Sequence, residues 1–162
     1  MSGVYEGGLK VWECSLDLVD YITMNRPKFE GKKVLEIGCG QGLPGVQALK
    51  EGANEVVFQD FNDEVLKNAT ENVIKQNTEC KNYQLVPGAW EELVNNESLK
   101  GKFNVILMSE TLYNVDYYTS LFDFIEHCLV DDANSEVIVG TKTYYFGLGG
   151  GYYELEQFLK KN

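Results

Sequence analysis

The chain has 162 residues, 44% hydrophobic and 24% charged, a globular composition sized for one domain over 1–162. Its 14 basic and 25 acidic side chains leave a formal charge of −11, which argues against nucleic acid or an anionic membrane as a partner and favours a basic protein. No apolar run approaches the ~20 residues of a membrane span, and the first six residues lack the layout of a secretory signal.

The four cysteines, Cys14, Cys39, Cys80 and Cys128, are scattered and only one histidine accompanies them, so neither a metal site nor a disulfide framework is expected. The chain reads as soluble and intracellular, with a cytoplasmic or nuclear location.

In chain order, an apolar stripe of Trp12, Leu16, Val19 and Ile22 predicts a leading helix over 11–24, ended before Pro27. From Lys33 onward short β-branched runs alternate with helical patterns, the signature of a parallel sheet covered by helices. Strands are expected at 34–37, 55–59, 83–86, 103–108 and 136–140. Helices are expected at 44–51, at 63–76 through Val65, Leu66, Ala69, Val73 and Ile74, and at 116–129 through Tyr117, Leu121, Phe124, Ile125 and Cys128. His127 falls deep in the last of these and reads as a packed or surface residue. Past the final strand, the Gly149-Gly150-Gly151 tract among Tyr144, Tyr145, Phe146, Tyr152 and Tyr153 marks either a mobile loop or the approach to a C-terminal helix.

The segment that carries chemistry is Val34-Leu35-Glu36-Ile37-Gly38-Cys39-Gly40-Gln41-Gly42-Leu43-Pro44-Gly45, a strand entering alternating glycines and then a helix. Without Cβ atoms the backbone can approach a ligand closely. Gly40-x-Gly42-x-x-Gly45 also satisfies the dinucleotide fingerprint, a weak match by itself, and a purely structural turn is the bland alternative. Glu36, two residues before Gly38, is expected to face the pocket mouth, where its charge would repel a pyrophosphate and attract a sulfonium. That favours S-adenosylmethionine over NAD.

Asp60, closing the second strand, is placed to accept hydrogen bonds from ribose hydroxyls. After the third strand, Gly88-Ala89-Trp90 offers an indole either to an adenine face or to the core. After the fourth come Ser109, Glu110, Thr111, Leu112, Tyr113 and Asn114, polar residues at the carboxyl end of a central strand, where an acceptor would enter.

With these residues in view, the chain resembles the seven-strand S-adenosylmethionine-dependent protein methyltransferases, and within them a branch directed at a histidine of a large-subunit ribosomal protein. The stretches that carry the resemblance are Val4 through Cys14, the glycine loop, Phe58-Gln59-Asp60-Phe61-Asn62 with Ser109 to Asn114, and Lys142 to Gly147 leading into the glycine tract. The resemblance implies a Rossmann-like α/β fold of five parallel strands in order 3-2-1-4-5, without the family's last two strands.

It implies that Trp12, Gly38, Cys39, Gly40, Gln41, Gly42 and Ser109 surround the methionine part of S-adenosylmethionine. Asp60, Phe61 and Asn62 would hold ribose and adenine, with Gly88, Ala89 and Trp90 closing the adenine side. Glu110 and Tyr113 match the acidic-x-x-aromatic motif of lysine-directed relatives at the entering nucleophile, with Asn114 beside them, and Lys142, Tyr144 and Tyr145 would line the substrate channel.

Two departures stand out. Ala89 replaces a commonly acidic residue, which removes an acceptor for the adenine amino group. The expected lack of two strands leaves Val137-Ile138-Val139 as a sheet edge open to self-association. The acceptor stays open between histidine and lysine, and the other readings are a donor-binding module without activity and an NAD-dependent reductase.

Overall fold

The structure, a computed structural model, describes residues 7–161. Val4, Tyr5 and Glu6 of the first resembling stretch, with the rest of the first six residues, lie outside the described residues. Five strands form one parallel sheet: β1 (Lys33–Ile37), β2 (Glu55–Asp60), β3 (Tyr83–Pro87), β4 (Val105–Ser109) and β5 (Glu136–Gly140). Their order is β3-β2-β1-β4-β5, the order expected from the resemblance. β1 and β4 at the centre pair from Val34 with Val105 to Ile37 with Met108, so their carboxyl ends open side by side.

The period of two along each strand divides the core into two layers. Val34, Val56, Phe58, Val105 and Leu107 point to one face, where they pack with Ile22, Val46, Leu49, Leu66 and Ile74. Leu35, Ile37, Val57, Ile106 and Met108 point to the other, against Phe103, Leu121, Phe124 and Ile125. Both faces are covered, which is why the strands read as near-continuous apolar runs.

The first layer is supplied by α1 (Glu13–Met24), α2 (Leu43–Lys50) and a helix that runs from α3 (Asp63–Val65) through a π-helical turn (Leu66–Thr70) into α4 (Glu71–Asn77). The second is supplied by α5 (Trp90–Leu93) and α6 (Tyr118–Cys128), with α7 (Tyr152–Lys161) seated through Phe158 against Tyr118 and Phe122.

The structure differs from expectation at α1 and α5, and it makes the glycine tract the approach to a C-terminal helix, the second of its two readings. α1 buries Cys14, Leu18 and Ile22 rather than the Trp12-Leu16-Val19 stripe, and Leu16 is exposed, because Trp12 precedes the helix as its N-cap and turns elsewhere. The short α5 was not anticipated. The glycine tract is pinned rather than loose: Gly150 N–H donates to Tyr113 O (3.1 Å), Tyr145 N–H donates to Gly150 O (2.9 Å), and a Cβ on Gly150 would overlap the Leu112 carbonyl. His127 Nε2 lies 3.0 Å from Asn96 O, in a structural contact. Among the described residues no helix is long and apolar enough to cross a membrane, and no acidic, histidine or cysteine cluster could hold a metal ion.

Candidate functional site

β1 ends at Ile37 and the chain turns over the sheet through the glycine loop. At Gly38 (φ +62°) an added Cβ would sit 2.8 Å from Thr111 Cγ2, and at Gly42 (φ +74°) it would sit 2.9 Å from Thr70 Cγ2, so neither backbone angle nor space admits a side chain. The loop is held by β2: Gly38 N–H donates to Gln59 Oε1 (3.1 Å), Cys39 N–H to Gln59 O (2.8 Å) and Gly40 N–H to Asp60 Oδ2 (2.9 Å). From below, the Thr70 hydroxyl in the π-helical turn donates to Gly40 O (2.6 Å).

Glu36 does not reach the cleft. Its position in β1 has the parity of Val34, so its carboxylate passes beneath the glycine loop to the start of α2, where Oε2 accepts Gly45 N–H (2.8 Å). Burial pushes this carboxyl from 4.5 up to about 8, with the nearby charge of Asp60 adding to the shift against the hydrogen bond from Gly45. At neutral pH Glu36 is therefore largely uncharged, and the choice between a cationic donor and NAD cannot rest on it.

Asp60 is buried, and it accepts Gly40 N–H through Oδ2 and Asn62 N–H through Oδ1 (3.1 Å). Gln59, which the sequence reading passed over, ties the glycine loop to the Gly88 turn: its Oε1 also accepts the Trp90 indole N–H (3.0 Å), and its Nε2 donates to Gly88 O (2.9 Å). Trp90 packs on the second core layer and also lines the cleft. The available signal was a glutamine following the apolar run Val56-Val57-Phe58, since a buried amide needs specific partners.

At the carboxyl end of β4 the backbone bends at Glu110, the one non-glycine residue with positive φ among those described (+53°). Its N–H donates to Gly140 O (2.8 Å). Oε1 accepts Cys14 N–H (3.3 Å), Oε2 accepts the Tyr145 hydroxyl (3.3 Å), and Lys142 Nζ stands 3.8 Å from Oε2. Burial, with the adjoining Glu110, raises the Cys14 thiol to about 12, and burial raises the Tyr145 phenol to about 12, so both stay protonated. Next to Glu110, the Thr111 hydroxyl is buried and without a hydrogen-bond partner among the described residues.

These parts enclose one cleft of about 390 Å³ above the carboxyl ends of β1, β2 and β4. The volume lies within the ~300–1,000 Å³ range of small-molecule sites. The cleft brings together Trp12, Gly38, Cys39, Gly40, Gln41, Gly42, Asp60, Phe61, Gly88, Ala89, Trp90, Ser109, Glu110, Tyr113, Lys142 and Tyr145. Lys10, Ser15, Gln59, Thr111, Tyr117 and Phe146 also line it.

Four candidates stand outside: Glu36 beneath the loop; Asn62 and Asn114, whose side chains accept Glu64 N–H (2.9 Å) and Asp116 N–H (3.0 Å) as helix caps; and Tyr144, half-exposed against Phe146. Both asparagines directly precede a helical turn, a position where a cap outcompetes a ligand for the side chain.

Residues 2–147 match the family described as lysine methyltransferase. The chain is 44% identical over 98% of its length to "Histidine protein methyltransferase 1 homolog" of Dictyostelium discoideum, covering 50% of that protein. It is 39% identical over 99% of its length to the protein of the same name in Bos taurus, again covering 50%. The chain thus spans about half the length of the curated relatives it matches. Among solved structures, the PRMT1 enzyme–prozyme heterotetrameric complex of Trypanosoma brucei with AdoHcy superposes with a TM-score of 0.61 at 23% identity, covering 76% of this chain and 38% of that one.

Proposed function

The chain belongs to the lysine methyltransferase family, and on that premise we propose that it transfers a methyl group from S-adenosylmethionine to a histidine side chain of a basic, ribosomal protein in the cytoplasm or nucleus. The observation that carries the reading is a single cleft joining the glycine loop and Asp60 at one end to Glu110 at the other. The names of the full-length relatives favour histidine, and the −11 charge favours a basic partner.

The residues present fit the donor. The glycine loop leaves its backbone bare, the Thr111 hydroxyl awaits a partner, and Asp60 uses two of its roughly four lone-pair positions on backbone amides, which leaves acceptors for ribose hydroxyls. Phe61 and Trp90 supply aromatic faces for adenine, and Trp12 stands near the methionine end. When bound, S-adenosylmethionine supplies a methyl carbon activated by a sulfonium and leaves as the neutral thioether.

The chain's own task is to hold an acceptor nitrogen ~3 Å from that carbon and opposite sulfur. A neutral imidazole brings its own lone pair, so no base is needed before attack. As the N–C bond forms and the S–C electron pair returns to sulfur, positive charge develops on the ring. Glu110, beside Tyr113, accepts the ring's other N–H, fixes the tautomer and stabilises the imidazolium, which then releases that proton to water.

Incubation with labelled donor and a salt-washed ribosomal protein fraction is expected to yield methylhistidine on hydrolysis and mass spectrometry. Glu110→Gln should keep S-adenosylhomocysteine binding by calorimetry while transfer falls ~10²-fold. Methyllysine as the main product would replace the acceptor, and binding without transfer would leave a donor-binding module. Loss of both binding and transfer would place Glu110 in the donor pocket. The outer edge of β5, unpaired among the described residues, further favours association of two copies.

A further inference from the structure

Resting on the histidine reading, the surroundings of Glu110 contain a device for choosing the acceptor. The Glu110 side chain is 4% exposed, and its Oε2 faces a resident ammonium, Lys142 Nζ, at 3.8 Å. The Lys142 side chain is 43% exposed while its backbone is anchored: its N–H donates to the Tyr145 hydroxyl (3.4 Å), its carbonyl accepts Tyr152 N–H (3.0 Å), and its Nζ lies 5.9 Å from the Tyr145 ring centroid. The glycine tract packs closely behind this backbone, since a Cβ on Gly151 would come within 3.0 Å of Lys142 O.

The consequence is electrostatic. A carboxylate alone at the acceptor end would attract the ammonium of an incoming lysine, but here its charge is already countered by an ion of that same sign and chemistry. An entering lysine ammonium would have to share the site with Lys142, and like charges in a partly desolvated cleft repel strongly. An imidazole enters neutral, meets no such opposition, and still finds an acceptor in Glu110, because a carboxylate has capacity beyond its bonds to Cys14 N–H and the Tyr145 hydroxyl.

We propose that Lys142 is a specificity-determining residue: its ammonium, paired with Glu110 at the acceptor end of the cleft, admits a neutral imidazole and rejects a lysine ammonium. It acts through Glu110 and on the charge of the incoming group, without taking part in the transfer itself.

The test uses the full chain, labelled donor and the ribosomal protein fraction, with methyllysine and methylhistidine quantified in the same hydrolysate. Lys142→Gln is expected to raise the methyllysine-to-methylhistidine ratio by about tenfold or more, consistent with removal of a like charge, and Lys142→Arg should restore the wild-type ratio. A purely structural role would lower both products together and leave the ratio unmoved. A ratio unchanged in Lys142→Gln, with methylhistidine made by the wild type, overturns the role of Lys142 alone. Wild-type chain that makes no methylhistidine overturns the histidine reading and this inference with it.

Discussion

Glu36 and Asp60 are buried on the neighbouring strands β1 and β2, with different backbone partners. Asp60 receives two backbone N–H groups, whereas Glu36 receives one and is otherwise packed beside Phe58, whose ring also stands where a Cβ on Gly45 would go. The folded state therefore holds the Glu36 proton more tightly than the unfolded chain, with the carboxyl raised from 4.5 to about 8. The sign follows from proton linkage: the stability this group contributes is full below pH 4.5 and is lost as pH rises to about 8. Glu36→Gln keeps an acceptor for Gly45 N–H without a titrating proton, so its melting temperature should be flatter than wild type between pH 5 and 8, as read by thermal denaturation across that window. Parallel curves for the two proteins would show that Glu36 carries its charge in the fold without cost.

Among the elements, the π-helical turn at Leu66–Thr70 matters most to the site. It widens the helix by one residue and so brings the fully buried Thr70 under the glycine loop, where its hydroxyl donates to Gly40 O and lies 3.8 Å from the Cys39 thiol. The periodicity of Val65, Leu66, Ala69, Val73 and Ile74 was enough to predict a helix over 63–76, and all are buried except Val73, which is half-buried. The turn itself was not legible, because a threonine within a helical pattern carries no mark of which carbonyl it will meet. Thr70→Val preserves shape and removes the donor, leaving Gly40 O without it. It should cost about 1–3 kcal/mol in denaturant unfolding and weaken S-adenosylhomocysteine binding in calorimetry. An unchanged affinity would mean that Gly38 and Gln59 hold the loop unaided.

At the scale of the whole molecule, the sheet has two unequal flanks. β3 is tied to β2 and runs into the Gly88 turn, while β5 pairs with β4 and presents Val137, 37% exposed, on a strand with one charged residue, Glu136, at its start. Lys28 pairs with that glutamate at 2.7 Å, which leaves the Val137-Ile138-Val139 run without a charge of its own to discourage pairing. Light scattering at rising concentration should show a growing average mass for the wild-type chain and a smaller one for Val137→Lys. A monodisperse monomer for both would remove edge pairing as a property of this chain.

Hydrophobic period and glycine spacing, local and strong signals, by themselves determined the strand set and the glycine turn after β1, while the sheet order was implied by the family resemblance. The sequence also brought Asp60, Glu110 and Lys142 forward as candidates. Tertiary structure alone decided where their atoms go. Strand parity sent Glu36 beneath the loop, helix starts claimed Asn62 and Asn114, and the packing of Gly150 against Leu112 brought Lys142 and Tyr145 to Glu110 across more than thirty residues of chain. Contacts of that separation depend on which surfaces the folded layers press together, and no spacing along the chain encodes them.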